Sequence, residues 1–61
     1  MTTYDAEIIF RDQKKYENVI IRNYVTSIMN GCMMMFVFGD DSSVSYNTND
    51  IHEVNTNQHE E

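Results

Sequence analysis

Cys32, His52 and His59 are the side chains that could supply a nucleophile and its base. A thiol does nucleophilic work when a positioned base or a depressed pKa makes it a thiolate. Cys32 opens the apolar run CMMMFVF, where a thiol is expected to act as a small buried hydrophobe. His59 falls in a polar terminus, so no nucleophile–base pair is expected. The carboxylates offer a second chemistry. Asp40/Asp41 and Glu60/Glu61 are sequence neighbours. General acid–base catalysis needs desolvated carboxyls fixed in a cleft, and adjacent positions do not by themselves supply one. For metals, Asp50, His52 and Glu53 lie close together, and Asp40, Asp41 and Ser42 could offer oxygens. Neither group follows a calcium loop, and one cysteine with two histidines gives no zinc spacing. The residues predict neither an enzyme nor a metal or other cofactor.

Binding chemistry is better represented. Tyr4, Tyr16, Tyr24 and Tyr46 could stack bases, but the only basic cluster is Arg11, Lys14 and Lys15. Direct nucleic-acid binding is therefore not expected. Residues 1–39 balance four acids against four bases, whereas residues 40–61 hold six acids and no base, which accounts for the net charge of −6. Asp40, Asp41, Asp50 and Glu53 could steer the chain to a basic partner, mimic phosphates, or simply keep it soluble. The methionines Met29, Met33, Met34 and Met35 form the other conspicuous group. Methionine adapts its shape and recurs on surfaces that bind partners. In a strand, CMMMFVF leaves two possibilities: both faces are buried by the chain itself, or one face meets a second molecule.

Such side chains need a scaffold, and 61 residues allow only one small domain. A single cysteine rules out an internal disulfide, which leaves a partner subunit as the usual support for a core this small. The N-terminal MTTYDAEIIF has neither the basic nor the apolar region of a secretory signal. The longest apolar run falls far short of the roughly 20 residues of a membrane span. The expected setting is the cytoplasm, away from membranes.

Strand patterns dominate. Tyr4–Arg11 alternates, Arg11–Lys15 reads as a polar turn, and Tyr16–Ile21 as a second strand ending at a polar break, Arg22–Asn23. Tyr24–Met29 is a third strand, joined to the fourth through Asn30-Gly31, the residue pair favoured in two-residue hairpins. That turn pairs Met29 with Cys32 and Ser27 with Met34, and sets Met33, Met35, Val37 and Tyr24 on one face. GDDSS is a further turn, Val44–Asn47 a short strand, Thr48–Ile51 a helical turn, and His52–Thr56 a closing strand. Residues 57–61 are predicted to be a disordered acidic tail after a single domain over 1–56.

The predicted fold class is all-β, with five or six strands in a strongly bent sheet and one short helical turn near the C-terminus. The element order, above all SYNTNDIHEV at Ser45–Val54, resembles small SH3-like barrels over residues 4–56. That resemblance implies a barrel. In its shortness, acidity and abundance of Asn and Tyr, the chain also resembles the short acidic proteins with which phages disable host machinery or defences. This implies an inhibitor acting in the host cytoplasm. The combined expectation is a protein-binding module, homodimeric, contacting its target through Met33, Met35, Val37 and Tyr24 and through the acids Asp40, Asp41, Asp50 and Glu53. The alternative is an assembly subunit that joins a larger complex by a strand edge or apolar packing.

Overall fold

The computed structural model describes residues 2–60, in which five antiparallel strands form one open sheet. They are β1 (Thr2–Phe10), β2 (Val19–Asn30), β3 (Met33–Phe38), β4 (Ser43–Asn47) and β5 (Ile51–Glu60), with a 3-10 turn at Thr48–Asp50 before β5. The order across the sheet is β4-β3-β2-β1-β5. The all-β class and the helical turn are as the sequence predicts. The sheet does not close on itself.

One strand does most of the shaping. The polar break at Arg22–Asn23 does not separate two strands. It is a bulge inside the twelve-residue β2. Asn23 adopts φ 59°, a left-handed conformation that asparagine tolerates better than most residues, and its N–H donates to Asp5 Oδ1 at 3.0 Å. A second irregularity, against β3, lies at Val25 between Tyr24 and Thr26. Val19–Tyr24 pairs with β1 and Tyr24–Asn30 with β3, so Tyr24 is where β2 passes from one neighbour to the other. Bulges of this kind bend a strand and re-aim its side chains.

The core lies on the inner face of this bend. Ala6, Ile8, Phe10, Ile21, Tyr24, Phe36 and Ile51 are buried, with Met34, Phe38, Val44 and Tyr46 packed against them. The aromatics form a continuous spine. Ring centroids run from Tyr4 to Tyr24 (5.5 Å), Phe36 (5.0 Å), Tyr46 (6.5 Å), Phe10 (6.0 Å) and Tyr16 (5.3 Å). With no disulfide to help, these rings join both halves of the bent sheet. The accessible surface is 4413 Å², against roughly 4,100 Å² expected for a folded monomer of this mass. The single chain therefore covers itself about as well as an ordinary monomer.

Three further expectations are corrected. The β2–β3 turn is Gly31–Cys32, one residue later than Asn30-Gly31, so Met29 pairs with Met34 and Asn30 with Met33. Gly31 has φ 62° while Cys32 is not left-handed, the pattern of a type II′ turn with glycine first. Cys32 is thereby exposed at the hairpin tip rather than buried in a strand. Residues 57–60 are not a disordered tail: β5 runs on to Glu60, pairing Asn57 with Asp5, Gln58 with Tyr4 and His59 with Thr3. Glu61 lies outside the described residues.

Candidate functional site

Alternation along β3 decides what the methionine run does. Met34, Phe36 and Phe38 face inward, and Phe36 is completely buried. Met33, Met35 and Val37 therefore point outward. Residues directly opposite in a ladder share a face, so the register builds the outer surface row by row. Asn30, Met33 and Asn47 form one row, Ile28, Met35 and Ser45 the next, and Thr26, Val37 and Ser43 the third. An apolar file, broadened by Ile28, thus runs down β3 between strands bearing hydroxyls and amides. No side chain in these rows carries a charge. Ile28 is 45% exposed and Met33 36%, while Met35 and Val37 are half-buried.

Tyr24 does not belong to this strip. The Val25 irregularity pairs it with Phe38 and turns it to the inner face, where it is 5% exposed and meets Phe36 edge-on. Burial, with the charge of Asp5 and the neighbouring Tyr4, raises its hydroxyl pKa. The two-residue change in the hairpin's pairing has no such effect. It changes partners but preserves the face of every strip residue, because the side-chain period is two.

The acids do not form a single patch. Asp40 and Asp41 occupy the β3–β4 turn and Asp50 the 3-10 turn, at opposite ends of the five-residue β4, roughly 17 Å apart at the usual strand rise. They bracket the apolar strip. Glu53 lies elsewhere, on β5 opposite Ile9 of β1, and its Oε2 accepts from Asn55 Nδ2 at 2.8 Å. Asp40 is occupied locally. Its Oδ1 accepts from the Ser42 hydroxyl at 2.5 Å and the Ser42 N–H at 3.1 Å, and the first of these chiefly holds its pKa below the ordinary carboxyl value. Asp41 adopts φ 70° in the same turn, and its carboxylate accepts no hydrogen bond among the described residues.

Two further features escaped the sequence. His59 Nε2 contacts Asp5 Oδ2 at 2.7 Å, on the pairing that extends β5. That contact first, and the Asn23 N–H second, lower the Asp5 pKa. A cleft of about 530 Å³ also opens between the β1–β2 connection and the end of β4, lined by Phe10, Tyr16, Tyr46, Glu17 and Asp50 among others. Neither arrangement places a nucleophile beside a base. Among the described residues, no set of three or more His, Cys, Asp or Glu side chains could hold a metal ion. No helix there is long and apolar enough to cross a membrane.

The chain is thus an all-β domain, one open antiparallel sheet with a half-exposed apolar strip across its outer face. Comparison with protein families, with curated proteins and with solved structures found no match.

Proposed function

We propose that this chain is a non-enzymatic protein-binding module whose contact surface is the outer face of β2–β3–β4. The observation that carries this reading is the uncharged strip of Ile28, Met33, Met35 and Val37, held on a rigid sheet and bracketed by acidic turns. Buried apolar anchors supply most of the affinity of such contacts, while rim charges speed and orient the encounter. The partner surface is apolar at its centre and basic at its edges, facing Asp41 at one end of the strip and Asp50 at the other. An inhibitor of the short acidic phage type works in this way, by occupying a surface rather than by chemistry. The 3-10 turn before β5, and a β2 shared by two half-sheets, support an SH3-like arrangement of the strands.

Size bears on the partner. Three strands about 4.8 Å apart and about 20 Å of strand length give a strip on the order of 300 Å² in projection. A standard interface takes roughly 800 Å² from each side. The strip can therefore only be the anchor of a larger contact, and because a second copy would set acidic turns against acidic turns, a different protein with basic edges fits it better.

A photo-crosslinking residue placed at Met33 or Val37 in the producing cell tests the proposal. A discrete adduct is expected from both positions and not from Gln58, with loss of the adduct in Ile28→Thr/Met35→Thr. Equal labelling from all three positions refutes it. The edge strand β5 favours a second reading, because it is ten residues long and paired on one side only. Assembly through that edge would give adducts from Gln58 and none from Met33.

A further inference from the structure

The cleft at the end of the aromatic spine adjoins one end of the strip, sharing Asn47 and Asp50 with it, but has its own chemistry. Its lining includes Phe10, Tyr16 and Tyr46 from three parts of the chain, and its only charged residues are Glu17 and Asp50. We infer that it binds a guanidinium group carried on an apolar stem. The rings set the shape of the site. Phe10 lies 5.3 Å from Tyr16 at 46° and 6.0 Å from Tyr46 at 57°, so it touches both tyrosines, and Tyr16, 39% exposed, offers an open ring face rather than a closed cage. A compact ammonium is suited to a cage. A planar, weakly hydrated guanidinium lies flat on a ring and directs its N–H groups sideways to carboxylates.

The carboxylates are free to accept them. Among the described residues, neither the Glu17 nor the Asp50 side chain accepts a hydrogen bond or pairs with a base, because the hydrogen bond at Asp50 goes to its backbone carbonyl, from the Arg11 N–H at 2.9 Å. The volume, about 530 Å³, lies within the range of small-ligand sites and leaves room for an aliphatic stem beside Val19 and Phe10. The chain itself already makes a related contact. Lys15 Nζ sits 5.2 Å from the Tyr16 centroid, and its pKa is raised by Tyr16 first, then by the charges of Asp12 and Asp50. Lys15 does not itself line the cleft, but through this contact it competes for the Tyr16 ring.

Two sources could present this group: a free alkylguanidine, or an arginine side chain on a peptide. n-Butylguanidinium, n-butylammonium, 1-pentanol and a capped Gly-Ala-Arg-Ala-Gly peptide should be titrated into the full chain at low salt, following the Tyr16 and Tyr46 ring signals by NMR. Butylguanidinium is expected to bind in the millimolar range, with both rings shifting together. Butylammonium should bind several-fold more weakly, and pentanol should leave the ring signals unmoved. A peptide at least tenfold tighter than butylguanidinium assigns the source to a protein, and an equal or weaker one assigns it to a free solute. Glu17→Gln/Asp50→Asn should cost about tenfold and Tyr16→Leu about threefold. Lys15→Gln should tighten binding, a gain that a merely structural lysine would not give. Ile28→Thr/Met35→Thr should change nothing here, which separates this site from the strip. Equal binding of the ammonium or of pentanol, shifts confined to other residues, or full affinity in Glu17→Gln/Asp50→Asn would overturn the inference.

Discussion

Three neighbouring methionines offer a controlled test of which face of β3 is wet. Met33, Met34 and Met35 are chemically identical and consecutive, yet only Met34 packs against the core. Replacing each in turn with glutamine keeps length and unbranched shape while exchanging a thioether for an amide. At Met34, half-buried against the apolar layer of Phe36 and Tyr46, the amide loses part of its hydration, a cost of about 1–3 kcal/mol on mutational scales. At Met33, already 36% exposed, the amide remains hydrated and the change should lie within about 0.5 kcal/mol. Met35, half-buried on the same outer face, should cost less than about 1 kcal/mol. Phe36→Ala marks the far end of the scale, with a cost of about 3–5 kcal/mol. Because a domain of this size has only about 3–9 kcal/mol of stability in total, that variant should be largely unfolded. Urea melts read by far-ultraviolet circular dichroism resolve these values. With a slope near 1 kcal/mol per molar, a loss of about 2 kcal/mol moves the midpoint by about 2 M. Equal losses at all three methionines would show both faces buried and would refute the strip.

Other outcomes follow from the same structure. Ending the chain after Thr56 removes the pairing of residues 57–60 with β1 and the His59–Asp5 contact, and should cost about 2 kcal/mol or more by thermal melt; an unchanged melt would contradict an ordered β5 end. Asn23→Val forces a β-branched residue into a left-handed backbone and should cost about 1–2 kcal/mol, whereas Asn23→Gly should be tolerated, a contrast that urea midpoints will show. Asp5 has a folded pKa below its ordinary 3.8, so its contribution is present above that value and is lost as pH falls through the folded pKa. Asp5→Asn should therefore lower stability at neutral pH and flatten its fall below about pH 4. Parallel stability–pH curves for the two proteins would contradict the contact.

The features legible in the sequence were those written in short-range pattern. Alternation gave β1, turn residues gave the polar connection at Arg11–Lys15, and the grouping of Met33, Met35 and Val37 on one face survived a change of hairpin partners because that change was an even number of residues. What was hidden depends on single residues set against distant neighbours. Asn23 looked like the end of a strand, because nothing local shows that Asp5 accepts its N–H and keeps β2 continuous. The Val25 irregularity then moved Tyr24 from the expected contact surface into the core. The polar composition of Asn55–Glu60 suggested a loose end, yet an edge strand beside Thr2–Asp5 can be polar when its ladder is satisfied on one side and its side chains meet water. The cleft was illegible for a similar reason. Tyr46 is far in the chain from Phe10 and Tyr16, and only the passage of β2 from β1 to β3 brings it to them.

In the proposed function, the outer face of β2–β3–β4 meets another protein. The most direct measurement is ¹³C-methyl NMR of the methionines in the producing cell's cleared extract, compared with the same chain in buffer. Broadening or shifts are expected at Met33 and Met35, with Met34 and Met29 little changed, and recovery of the buffer spectrum in the Ile28→Thr background. Unchanged Met33 and Met35 signals, or uniform broadening of every methionine that persists in that background, would contradict it.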